Sequence, residues 1–252
     1  MIVKGLSRNI WTGGFASEPL TRLTFGDDDW FGLWSRDGKR LFYTAGQNGS
    51  YNIFSIATDG SGKAERLTQS PNRQGPDSQS PSGDTLLFSE LDPSTGLDIW
   101  ELSLSRKESR PLDKTRFNEG GAVFSPDGHW IAYASDESGQ DEVYVRAYPG
   151  TGVKRQVSLE GGKRPFWSHT GRELFYSTAT AMFSVPVLDA HDLRMGTPLR
   201  LFARTQREVW ATSISADDQR FLILETAEAN QPSQLNLVQN WFEELKARVP
   251  AK

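Results

Sequence analysis

Short apolar runs punctuate the chain at near-equal intervals, and each follows a polar tight-turn sequence. Leu41-Phe42-Tyr43 follows Ser35-Arg36-Asp37-Gly38, and Leu86-Leu87-Phe88 follows Ser80-Pro81-Ser82-Gly83. Trp130 to Ala134 follows Ser125-Pro126-Asp127-Gly128, and Leu174-Phe175-Tyr176 follows Ser168-His169-Thr170-Gly171. The last copy is Ser215-Ala216-Asp217-Asp218 followed by Phe221-Leu222-Ile223. Aromatic and β-branched residues in short runs favour strands. Pro126 pre-sets φ for a turn, and Gly128 takes positive φ without a Cβ clash. Each copy therefore predicts strand, tight turn, strand.

The anchor serines lie 45, 45, 43 and 47 residues apart. A period in the forties with several short strands per unit predicts an all-β β-propeller with four-stranded antiparallel blades. In the first unit the strands fall near 31–35, 40–45, 51–57 and 64–68, and Asp59-Gly60-Ser61-Gly62 turns the third into the fourth. Full blades are expected over 25–68, 69–113, 114–158 and 159–203 of a single domain. Residues 1–24 and 204–240 read as partial blades, and 241–252 as a short helix and tail. Two arrangements fit: a six-bladed ring with incomplete first and last blades, or a smaller ring closed by the N-terminal edge strand. The first is preferred, because five blades would leave the opening strand-turn-strand signal unused.

Composition narrows the function classes. Twenty-eight Lys and Arg against 32 Asp and Glu give a net charge of −4, with no block of like charge. A general electrostatic grip on nucleic acid is not expected. No apolar run approaches the length of a membrane helix, so membrane insertion by this chain is not expected either. The N-terminal residues are too short and polar for a signal peptide. With no cysteine there is no thiolate chemistry, and the compartment stays unassigned.

The stretches FSPDGHWIAYASDESGQDEVYV, WSRDGKRLFYTAGQNGSYNIF and WSHTGRELFYS resemble the TolB-like, WD40-like β-propeller repeat. The resemblance covers nearly the whole chain. It is strongest to propellers that follow bacterial serine/threonine kinase domains, at FNEGGAVFSPDGHWIAYASDESGQDEVYVRAYPG and LNLVQNWFEELK. It implies a part that senses or binds rather than catalyses, slightly favouring a periplasmic or extracytoplasmic place. Kinase activity is not carried over, since neither the Gly-rich loop nor the catalytic-loop motif occurs. Asp218 replaces the turn glycine in the last copy, and Gln79 replaces the aromatic before Ser80.

Catalytic and metal motifs weigh little. No G-x-S-x-G elbow occurs. Gly60-Ser61-Gly62-Lys63 ends like a phosphate loop, but the leading spacing is wrong and Ala64 stands where Ser or Thr is needed. His129, His169 and His191 fall on separate turns or insertions, so no zinc site is expected. Asp27-Asp28-Asp29 and the acidic stretch 136–142 lack the spaced ligands of a calcium loop. No cofactor is expected.

Residues that break the repeat are the better functional candidates. The loop leading into each innermost strand faces the axis on one side of a propeller. Those positions are Asp28, Asp29 and Trp30; Arg73 and Gln74; Asn118 and Glu119; Lys163 and Arg164; Arg207 and Glu208. They are polar, mixed in sign and different in each blade, and packing is not expected to need them. The pattern points to a non-catalytic module that binds a protein, peptide or small ligand at this funnel face. The alternative is a lyase or glycoside hydrolase using two carboxylates 5–10 Å apart, drawn from Asp28, Asp29, Glu119 and Glu208, with the separation on the order of that in known glycosidases. A third possibility is self-association through open blade edges.

Overall fold

All five turns close in the same way. In the computed structural model the residue three past the anchor donates its backbone N–H to the serine carbonyl: Gly38 to Ser35, Gly83 to Ser80, Gly128 to Ser125, Gly171 to Ser168 and Asp218 to Ser215, at 2.8–3.0 Å. Each serine hydroxyl then accepts the N–H five residues on, as Arg40 to Ser35 and Trp130 to Ser125. Where Asp follows two residues later, the hydroxyl also donates to its carboxylate, as Ser35 to Asp37 at 2.6 Å. Gly128 sits at φ 77° and Asp218 at φ 56°, so Asp218 fills the left-handed position of the turn. It also accepts the backbone N–H of His169 at 2.9 Å. Gly60 and Gly62 take φ 77° and 78°, in the turn expected for the false phosphate loop.

The structure describes residues 2–4, 7–13, 20–150, 152–203, 209–225 and 236–238. The C-terminal segment 241–252, expected as a helix, lies outside the described residues. Each turn joins the inner two strands of a sheet. The first full sheet orders Asp29–Trp34, Arg40–Gln47, Ser50–Ala57 and Glu65–Arg66, and the second Arg73–Gln79, Thr85–Asp92, Gly96–Ser103 and Glu108–Asp113. The third runs Glu119–Phe124, Trp130–Ser135, Glu142–Ala147 and Lys154–Gln156. In the fourth, Lys163–Trp167, Glu173–Ser177, Ala181–Asp189 and Arg194–Met195 form the path, with Leu199–Ala203 also paired to the long third strand. Three further strands, Val209–Ile214, Phe221–Glu225 and Asn236–Val238, form the last sheet. Before the first full sheet, Ile2–Lys4 pairs Ser7–Asn9, and Trp11–Thr12 pairs Thr21–Arg22.

The chain divides into two compact units, one of residues 1–124 with 135–139, the other of 125–134 with 140–252. In the first unit the second strand of each sheet is buried on both faces. Leu41, Tyr43 and Ala45 join Ile10, Leu23, Phe54 and Ile56 in one cluster. Their neighbour Phe42 faces the other way and joins Ile53, Leu86, Phe88 and Leu102. Double burial explains why these strands read as unbroken apolar runs rather than alternating ones. In the second unit Phe175, Met182, Leu201, Phe221 and Ile223 form the equivalent cluster. Two outer strands end on short, charged stretches, Glu65–Arg66 and the exposed Lys154–Gln156, a pattern that discourages edge pairing.

The turn geometry makes a direct prediction. Gly128→Val forces a β-branched side chain into the left-handed region and is expected to lower stability by about 1–2 kcal/mol. Ser125→Ala removes the two hydrogen bonds of a buried hydroxyl, one given to Asp127 and one accepted from the Trp130 N–H, and is expected to lower it by about 1 kcal/mol or more. Chemical denaturation of the two variants checks both; an unchanged midpoint for Gly128→Val would contradict the turn.

Candidate functional site

The innermost strands do not run straight into their turns. In the first sheet Trp30 pairs Thr44 and Leu33 pairs Phe42, so Phe31 and Gly32 together oppose Tyr43. In the fourth, Lys163 pairs Ser177 and Phe166 pairs Phe175, so Arg164 and Pro165 share one partner. Such bulges re-aim side chains. The left-handed residue is Phe31 at φ 54°, Gly121 at 64° in the third sheet and Arg164 at 53°. In the second sheet Pro76 occupies this place, and the unmatched residue is Asp77. A left-handed non-glycine residue costs about 1–2 kcal/mol, and such strain concentrates at functional positions.

At the first bulge a cationic and aromatic cluster assembles. Trp30 is 7% exposed, while Phe31 is 50% exposed and stacks on it with ring centres 4.4 Å apart. The Arg73 guanidinium lies 3.8 Å from the Trp30 ring centre, and that of Arg8 4.5 Å from it. Tyr51 meets the same indole edge-on. Arg8 forms a two-pronged ion pair with Asp28, its second contact at 2.6 Å. That hydrogen bond, with one from Tyr51, holds the Asp28 carboxyl below the usual carboxylate range. Arg73 makes no ion pair with a described residue, and burial followed by the Arg8 charge lowers its pKa. Gly75 completes the cluster: a Cβ there would come within 3.3 Å of the Phe31 ring.

The other described mouth positions separate into three groups. Asp29, Gln74 and Glu119 are 2%, 4% and 0% exposed, which corrects the expectation that packing does not need them. Asp29 accepts the Gly26 N–H at 2.9 Å, and burial raises its pKa. Gln74 links Thr68 to Glu90, and Glu119 accepts the Thr115 hydroxyl. Their side chains pin the loop that enters each blade. Asn118 is exposed but staples loops, bonding Asp136 twice and accepting the Leu97 N–H. Lys163, in the second unit, pairs with Asp141 at 2.6 Å, and Arg164 is exposed at its bulge. Arg207 and Glu208 lie outside the described residues. Of the expected set, the structure brings Asp28, Trp30 and Arg73 together.

Sequence reasoning missed Arg8, Phe31, Tyr51 and Asp77. Arg8 and Tyr51 come from other strands, which one sequence cannot align. Asp77 carried a signal: Pro76-Asp77 interrupts an innermost strand. Its half-buried carboxylate accepts the Ser89 hydroxyl at 2.6 Å and the Ala122 N–H. Burial nevertheless pushes its pKa up to about 7. Among the described residues no group of three or more His, Asp or Glu is placed to hold a metal ion.

The raised pKa has a definite sign. Between its unfolded value of about 3.9 and the folded value the native state holds the proton more tightly. Its contribution to stability is full below that lower value and is lost as pH rises through about 7. The Tm of the wild-type chain relative to Asp77→Asn is therefore expected to fall between about pH 4 and about pH 8. A Tm difference independent of pH would contradict this environment.

No family model matches the sequence. TolB from Acinetobacter baumannii superposes with a TM-score of 0.70 at 18% identity, over 90% of this chain and 55% of that one. A TolB candidate from Agrobacterium tumefaciens gives 0.64 at 17%, over 77% and 73%. An oligogalacturonate lyase from Vibrio parahaemolyticus gives 0.64 at 12%, over 93% and 69%. The chain thus spans about half the length of the Acinetobacter TolB, and its structural neighbours include an enzyme as well as TolB proteins. At these identities the likeness establishes the architecture: the fold is a TolB-like β-propeller.

Proposed function

We propose that this chain is a recognition module without chemistry of its own, serving a bacterial signalling or envelope protein. It binds a protein, peptide or small ligand where Arg73, Trp30 and Phe31 meet at the start of the innermost strands. The observation that carries the reading is Phe31. A large apolar side chain is held half-exposed, in a strained backbone conformation, on an indole already covered by a guanidinium. For folding alone, the ring's contacts do no more than offset the backbone strain that holds it there. The TolB-like architecture supports a binding role, and the two nearby carboxylates offer no acid–base pair. Asp28 is tied to Arg8, and Asp29 is buried on loop hydrogen bonds.

Phe31→Gly tests whether the ring is kept for folding or for contact. Relief of about 1 kcal/mol of left-handed strain offsets the lost ring contact, worth about 1 kcal/mol at half exposure. Stability is therefore expected to stay within about 0.5 kcal/mol of wild type. A loss above about 2 kcal/mol would make Phe31 a packing residue and contradict the reading.

A second reading as a lyase has one specific support, the Asp77 carboxyl, which exchanges its proton near neutral pH as a general acid or base must. The chain is expected to leave oligogalacturonate uncleaved, with or without manganese. Cleavage that Asp77→Asn abolishes would establish the lyase reading.

A further inference from the structure

The ligand chemistry of the Arg73 platform follows from its charge balance and shape. Two guanidinium groups flank one indole, and one ionised carboxylate, Asp28, answers them. Asp28 is bound two-pronged to Arg8 and acts on Arg73 only through space, so no described carboxylate is in ion-pair contact with Arg73. Asp27, one residue earlier, is exposed and makes no ion pair with Arg73, while Asp29 is buried on the Gly26 N–H. Arg73 is an exposed residue whose guanidinium lies with one side on the Trp30 ring. On the same indole the half-exposed Phe31 ring rests with its plane 24° from that of Trp30 and presents a flat apolar face. Gly75 leaves the room that ring occupies. A guanidinium fork matches a carboxylate with two parallel hydrogen bonds. An aromatic face takes a flat apolar group by offset stacking.

We propose that this platform binds a carboxylate carried next to a flat apolar group, with Arg73 holding the carboxylate and Phe31 the flat group. The C-terminal aromatic residue of a partner chain and a free aromatic acid share this chemistry. The proposal rests on the recognition reading above and narrows it to one ligand class.

The test uses acetyl-phenylalanine and its amide as probes of the whole chain, followed by NMR at the Trp30 indole N–H, identified by its loss in Trp30→Phe. The acid is expected to shift that signal saturably and to bind about tenfold or more tighter than the amide. Arg73→Met, checked for an unchanged Tm, is expected to reduce the acid to the level of the amide. Gly75→Ala pushes on the Phe31 ring without altering charge and is expected to weaken acid and amide alike. Acetyl-Ala-Ala-Phe separates the sources: tighter binding than acetyl-phenylalanine assigns a partner chain, and equal binding assigns a free acid. Equal affinity for acid and amide, with the indole still moving, would overturn the carboxylate assignment while leaving recognition at the platform standing. An indole signal unmoved by either probe at about 20 mM, weaker than any useful affinity, would overturn the proposal.

Discussion

Burial on both faces of the second strand in each full sheet is the constraint on which the rest of the structure depends. A sheet that stood alone would leave Leu41, Tyr43 and Ala45 on one side and Phe42 on the other in water. In the first unit they enter separate clusters, one formed with the opening strands and one with the second sheet. That demand fixes the residue types of the strand and forbids a register slip, because both faces would be mispaired. The serine-anchored turns then hold the adjoining inner strand in place, since the hydroxyl at each anchor, buried in the first four, completes the bend with hydrogen bonds. With strands and turns so determined, the free variable is how each innermost strand begins.

That beginning is where the sheets differ. Polar side chains with their own loop partners, Asp29, Gln74 and Glu119, close the interior just before the bulge. In the first sheet the bulge turns out an aromatic residue, Phe31, beside cations that come from other strands; in the second the unmatched residue, Asp77, stays in and bonds to Ser89 and the Ala122 backbone. One strand position therefore serves two purposes: residues facing in secure the loop, and residues thrown out by the bulge are released from packing. At Phe31 and Arg164 the bulge holds a non-glycine residue in the left-handed region.

Much of this was legible in the sequence. The five turns are legible because a tight turn restricts residue choice at each of its positions, and even Asp218 fits, since Asp tolerates the left-handed region better than most residues. The doubly buried strands are legible because few residues other than apolar ones survive there. The mouth was legible only as a region. Simple alternation along Asp28-Asp29-Trp30 does not show which side chain points inward, because the bulge that resets it depends on hydrogen bonding with the neighbouring strand. The partners of Trp30 come from residues 8, 51 and 73, brought together by topology rather than by spacing. Asp77 differs again: its character comes from burial beside Ser89 and Ala122, which residue type alone does not carry.

The most direct test of the account is a crystal structure of the chain grown with acetyl-phenylalanine. The account predicts the ligand carboxylate against Arg73, its ring on Phe31, and Phe31 still in the left-handed region. A ligand bound elsewhere with Arg73 paired to one of the chain's own carboxylates would contradict it, and would make the cluster a packing feature of the first sheet.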